Sequence, residues 1–290
     1  MFELILQALF SGVLLGGSYA LIALGLAIVF GNMKIVNLAH GELVLLAAYL
    51  AYASETILGA HPLLAIPLAM IVVCGLSVVI YLLVNLIKSD RELNSLLLTY
   101  GCAIVLTNGI LLIWKSDVHS SANAWFQDAL VIGNLFSMNS EWVFFLISIV
   151  LLLVGAWWLK KSWYGRAVRA VSNNRDAAKL MGINPRVTEI VSFIIAGVLA
   201  SFAGVALFST SFIQPEIGNS LTIKAFIITV LAGIGSIHGV LLAAILLGVV
   251  ESLTITLFSS SLQELTGMGL FLLVLFVMPN GLFGGKRRMA

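Results

Sequence analysis

Apolar runs near the ~20 residues that a membrane-spanning helix needs recur from one end of this chain to the other, and in hydrocarbon each run must close its own backbone hydrogen bonds. Residues 142–159 and 187–208 are such runs, and neither alternates polar with apolar side chains. A barrel strand requires that alternation over about ten residues, so helices remain. Composition agrees: 61% of the 290 residues are hydrophobic and 10% charged, far from the proportions of a soluble domain. The expected fold class is all-α, a polytopic transmembrane helix bundle.

Hydropathy places segments near 4–30, 37–58, 62–87, 95–114, 142–159, 187–208, 222–236, 239–257 and 262–278, about nine in all. Only Ile237 and His238 separate 222–236 from its neighbour, so these two are open to being one broken or re-entrant element, which would lower the count to eight. Cations decide orientation, because Lys and Arg are retained on the cytoplasmic side of short loops. Cytoplasmic loops around Lys34, 88–91, 160–186 and 286–288 take in every Lys and Arg except Lys115 and Lys224. Nine crossings then put the N-terminus outside, the C-terminal GGKRRMA inside and the 115–141 loop outside. The first ten residues carry Glu3 and no cation, unlike a cleaved signal peptide, so the first helix is expected to stay. Cys74 and Cys102 lie apart in apolar runs and read as core filling.

No linker or composition shift divides the chain, which reads as one transmembrane domain over 1–290. The glycines of GGKRR lack phosphate-loop spacing, and no GxxxxGK[ST] occurs, so nucleotide chemistry is left to a partner. No HExxH, GxSxG or paired cysteines accompany the polar residues, which argues against an intramembrane enzyme. No metal or nucleic-acid partner is expected.

The longest polar stretch, KKSWYGRAVRAVSNNRDAAKLMGINPRVTE at 160–189, contains the punctuation of a short helix. Asn174 suits the N-cap, Asp176 the first turn and Gly182 the C-terminal stop, with Pro185 beyond. The spacing predicts a helix over 175–181. Small Ala177 and Ala178 would admit a close neighbour, and Leu180 and Met181 would offer it an adaptable apolar knob. The alternative is a loop whose Arg166, Arg169, Arg175 and Lys179 only touch anionic headgroups.

DAAKLMGI at 176–183 resembles the EAA loop of ABC importer permeases, with Asp where many have Glu. YGRAVRAVSNN at 164–174, GLAIVFGNMKIVNLAHGE at 25–42 and LAGIGSIHGVLLAAILLGVVES at 231–252 are similar to the branched-chain amino acid permease family. The resemblance covers most of the chain. It implies a membrane-spanning subunit of a bacterial or archaeal cytoplasmic membrane, with 160–187 as coupling loop and Arg175, Asp176, Ala177, Ala178, Lys179, Leu180, Met181 and Gly182 docking on an ATPase. The implied partners are a second, homologous permease, two cytoplasmic ATPase subunits that use the ATP, an extracytoplasmic substrate-binding protein and membrane lipid. Branched-chain or other hydrophobic amino acids are the implied cargo, with urea or short amides as the alternative. No cofactor is expected on this chain.

Ionisable groups at membrane depth cost a few kcal/mol each on insertion scales, so His40, Glu42, His238 and Glu251 call for a reason. GNMKIVNLAHGE at 31–42 and GIGSIHG at 233–239 each join a glycine-rich break to an apolar run. If both are interrupted helices, Asn37, His40, Glu42 and His238 border a translocation path; the competing reading has Asn37, His40 and Glu42 bonding one another or nearby carbonyls. Asn108 and Glu251 are candidates for the path or for interhelical bonds. A self-sufficient proton-coupled carrier with a His40–Glu42 relay, and a purely structural subunit, are the alternatives from other classes.

Overall fold

The computed structural model describes residues 1–87, 89–233 and 235–283. Lys88 and the GGKRRMA tail, both used above for orientation, lie outside the described residues. The helices are α1 (Phe2–Met33), α2 (His40–Leu58), α3 (Ile66–Asn85), α4 (Arg91–Trp114), α5 (Ala124–Gln127), α6 (Asn139–Lys161), α7 (Trp163–Asn173), α8 (Arg175–Leu180), α9 (Pro185–Thr210), α10 (Ile217–Ala232), α11 (Ile237–Leu257) and α12 (Gln263–Val277). Eight of the described elements are long and apolar enough to span a membrane, and α10, with 16 residues, is a shorter apolar helix beside them. The chain is a multi-pass helical membrane protein. The 222–236 region and its neighbour form two helices, α10 and α11, joined by a turn at Gly233 and Gly235.

Small residues set the centre of the bundle. Gly12 and Gly16 form a GxxxG pair on α1 that faces Gly248 on α11. A Cβ on Gly248 would lie 2.5 Å from the Gly12 carbonyl oxygen, and one on Gly16 would lie 2.5 Å from the Ile245 Cα. Between helices already bathed in lipid, dispersion from such backbone contact is the main attraction, and any side chain here would forfeit it. Around α1 and α11 pack α2, α9 and α10, while α3, α4, α6 and α12 turn most side chains outward. Lone hydroxyls inside the spans mostly bond the carbonyl four residues back, as Ser201 to Gly197, Ser209 to Val205 and Thr229 to Ala225, which satisfies them without a partner helix.

The two ends differ. One carries α5 and a two-stranded antiparallel hairpin, β1 (Ala129–Ile132) and β2 (Leu135–Met138), turning at Gly133 and Asn134. The other carries α7 and α8. Helix α7, absent from the sequence expectation, is amphipathic: Tyr164, Ala167, Val168 and Val171 face the bundle and Arg166 and Arg169 face out. The Tyr164 hydroxyl bonds the Thr188 carbonyl and Ser192 Oγ on α9, and Asn32 of α1 donates to the same two groups. Burial pushes the Tyr164 phenol up to about 12. Cys74 and Cys102 are free, partly buried thiols.

Candidate functional site

Helix α8 has the ends its sequence specifies. Asn174 Oδ1 accepts from the amides of Asp176 and Ala177, at 3.1 and 3.0 Å. At the far end the Gly182 amide bonds the Lys179 carbonyl and the Ile183 amide bonds that of Ala178, a paired closure that needs a left-handed residue, and Gly182 supplies it at φ +79°. Leu180 and Met181 are 90% and 82% exposed. Asp176, Ala177 and Lys179 are exposed too, but Ala178 is turned into the chain and buried. Of the two alanines only Ala177 can receive a neighbour.

Six residues are too few to hold a helix in water, and the seat beneath α8 is a charge network that sequence reasoning missed. Glu189 on α9, 1% exposed, accepts from Arg91 of α4 at 3.0 and 3.3 Å, from Arg175 of α8 at 3.3 Å and from the Tyr81 hydroxyl of α3 at 3.2 Å. A second approach of Arg175, through Nε, is 3.1 Å. A buried carboxylate is tolerated when paired and hydrogen-bonded, so α8 is tied to three spanning helices at one point. The Lys179–Asp176 pair on α8 itself is exposed and carries little of this.

Between α1 and α2 the chain unwinds. Helix α1 is capped at its C-terminus by Lys34, whose φ is +56°, and α2 begins at His40, which lies against the middle of α1: its Nε2 is 2.8 Å from the Ile22 carbonyl oxygen. Non-helical backbone in a span requires partners from the protein, and threonines supply them. Thr99 of α4 accepts from the Leu38 amide at 3.2 Å. Thr222 of α10 accepts from the Gly41 amide at 2.8 Å and donates toward the Leu38 carbonyl at 3.2 Å. Asn37 accepts from the Ala39 amide. Asn37, His40 and Glu42 are all buried; the His40 amide bonds the Asn37 carbonyl at 3.2 Å, and among the described residues their side chains do not bond one another. Glu42 lies against the backbone of Gly218 on α10, where any Cβ would collide with its carboxylate. Its Oε2 is buried with no hydrogen-bond partner among the described residues.

The opposite face of α10 holds an intramembrane ion pair. Lys224 Nζ is 2.9 Å from Glu251 Oε2 of α11. The same oxygen accepts from the Tyr19 hydroxyl of α1 and from Gln263 Nε2 of α12, each at 2.6 Å, and Lys224 also donates to Tyr19 at 2.8 Å. Lys224, an exception to the loop-cation pattern, is therefore a core residue and not a topology signal. The pair borders a cavity of about 340 Å³ between α10, α11 and α12, reached past Gln214 and Glu216.

The remaining candidates lie elsewhere. Asn108 is exposed and donates to Ile104 in its own helix. His238, in the first turn of α11, is also exposed, so the shared HG pattern of 40–41 and 238–239 has one buried and one open histidine. The structure thus gathers Asn37, His40 and Glu42 at the unwound junction, with His40 against α1 and Glu42 against α10, puts Glu251 across α10 from Glu42, and sets Asn108 and His238 apart. Sequence could have flagged Lys224 as a lone cation in an apolar run.

Helices of this number and arrangement, an unwound junction and a short punctuated helix at one end describe a transport permease of the importer kind. The family model for the permease component of the branched-chain amino acid transport system matches residues 8–278, and the chain belongs to that family. The high-affinity branched-chain amino acid transport permease BraD of Pseudomonas aeruginosa is 30% identical, over 96% of this chain and 95% of that relative. LivH of Escherichia coli K12 is also 30% identical with the same coverage. The autoinducer 2 import permease LsrC of Yersinia pestis is 34% identical over 38% of this chain. A solved structure, PsaBC of Streptococcus pneumoniae in complex with Fab, shares the fold with a TM-score of 0.51 at 16% identity, covering 94% of this chain and 91% of that one.

Proposed function

We propose that this chain is the membrane-spanning subunit of an ATP-driven importer of branched-chain or other hydrophobic amino acids. It forms half of the translocation path and binds no cofactor of its own. The observation that carries this is α8: an exposed Leu180–Met181 knob on a helix fixed by Asn174, Gly182 and the Glu189 network. Such a part has little use in a self-sufficient carrier. It suits a partner that pushes, and the network spreads that push to α3, α4 and α9 together, as a two-state bundle needs.

The α7–α8 end is then cytoplasmic, facing two ATPase subunits that hydrolyse ATP, and the hairpin end faces the extracytoplasmic binding protein. Residues 1–290 act as one domain in the cytoplasmic membrane, beside a second, homologous permease. A proton relay through His40 and Glu42 draws no support from the geometry, since His40 is occupied by the Ile22 carbonyl. Names of the family and of its relatives favour branched-chain amino acids over urea or amides.

The experiment is gentle purification of the tagged chain from native membranes, followed by reconstitution. ATPase subunits and a second permease in stoichiometric amount, with ATP-dependent leucine uptake that exceeds urea uptake, are the expected result. Purification alone with proton-driven uptake would refute the reading.

A further inference from the structure

Resting on the proposed function, the cavity between α10, α11 and α12 allows the cargo to be followed further. Its lining is graded. Lys224 stands at depth, seven residues into α10 and hence about 10 Å below the start of that helix. Both members of the ion pair line the cavity, but the Lys224 side chain is 13% exposed against 1% for Glu251, so Lys224 is the more accessible of the two. Two of its three N–H bonds go to Glu251 and Tyr19, and the third has no acceptor among the described residues. One oxygen of Glu251 takes three donors, from Tyr19, Lys224 and Gln263, and so fixes the Lys224 side chain in place.

The mouth has the opposite sign. Glu216 lies where α10 begins, and Glu264 of α12 is steadied by the Ser220 hydroxyl at 2.6 Å. The wall also carries apolar Ile223, Met268 and, a turn deeper than Lys224, Ile227, beside polar Asn219 and Ser220. At about 340 Å³ the space is at the small end of ligand pockets, ~300–1,000 Å³.

We propose that this cavity is a staging site for a zwitterionic aliphatic amino acid: Lys224 takes the α-carboxylate, Glu216 and Glu264 take the α-ammonium, and Ile223, Ile227 and Met268 hold the side chain. Glu251, Tyr19 and Gln263 are positioning residues for Lys224. A simple amine would leave the Lys224 donor unanswered and face its charge. A simple acid would meet the two carboxylates at the mouth. Only a molecule with both charges and an apolar branch answers every wall.

The test uses the assembled transporter in proteoliposomes with its ATPase and binding-protein partners. Lys224→Gln combined with Glu251→Gln removes both charges and keeps hydrogen-bonding groups in place. Exchanging a whole buried pair is often neutral for stability, so a purely structural pair predicts wild-type uptake. The staging site predicts an assembled complex of wild-type thermal stability with leucine uptake lower by about tenfold or more and ATP hydrolysis within about twofold of wild type. Wild-type uptake by the double variant overturns the proposal. The second measurement does not depend on that variant folding: Ser220→Cys, with Cys74 and Cys102 replaced by alanine, is modified by a charged methanethiosulfonate. Leucine-loaded binding protein must slow that modification relative to ligand-free binding protein, and equal rates overturn the proposal. A wild-type complex that takes up no branched-chain amino acid with ATP refutes the function proposed above; active uptake with an indifferent pocket refutes this inference alone.

Discussion

Glu189→Gln isolates the seat of α8. The carboxylate is 1% exposed, while the side chains of its cationic partners Arg91 and Arg175 are 23% and 37% exposed. Breaking a fully buried pair costs about 3–5 kcal/mol, but water reaches these two guanidinium groups and recovers part of that. The loss is then near that of a hydrogen bond to a charged group, about 2 kcal/mol. Helix α8 has six residues and no stability of its own to fall back on. The change therefore acts on the balance between seated and released α8, which moves by about 30-fold. Hydrogen exchange on the purified chain reads this without any partner: the amides of Ala178, Met181, Gly182 and Ile183, which close the helix and its terminus, should exchange about 30-fold faster than in wild type. Arg175→Gln, at a half-exposed site, should accelerate them by only about fivefold or less. Exchange within about twofold of wild type in Glu189→Gln, or a larger effect from Arg175→Gln, would refute the seating role of Glu189.

Three more outcomes follow from the geometry. Thr222→Val strands the Gly41 amide and the Leu38 carbonyl at the unwound junction and should cost about 1–3 kcal/mol, read as a lower melting temperature by fluorescence-detected chromatography, with Thr222→Ser close to wild type. Leu180→Asp with Met181→Asp should abolish copurification of ATPase subunits at unchanged melting temperature, whereas Ala178→Trp should lower that temperature because Ala178 is buried. Gly248→Leu drives a side chain into the Gly12 backbone and should separate α1 from α11, seen as aggregated or unfolded protein on size exclusion; a monodisperse, wild-type-like peak would show that the contact is dispensable.

Most of the architecture was legible because lipid imposes one rule on every span, and α8 was legible because Asn174, Gly182 and Pro185 act on their immediate neighbours. What escaped depends on distance along the chain. The Glu189 network joins residues 98 positions apart, and Lys224 meets Glu251 across a turn that hydropathy left open as a possible break. The docking role assigned to Ala178 followed from its size, but which face of a short helix is covered is decided by α9. The hairpin at 129–138 was missed although Gly133 and Asn134 signal it, since the loop was read only for its charges. At 31–42 an interruption was one of two open readings; the unwound junction there is held by Thr99 and Thr222, which resemble every other threonine in an apolar run.

The Glu189 network also has a consequence for how the protein is made. Arg91 enters the membrane early, α8 is synthesised later, and Glu189 follows it on α9. Until α9 is made, the Glu189 carboxylate that holds Arg175 is missing, and α8 has no seat. If α8 docks an ATPase subunit as proposed, that subunit meets no finished surface on a nascent permease. On the proposed function, the docking surface is complete only once the first six long helices have been made.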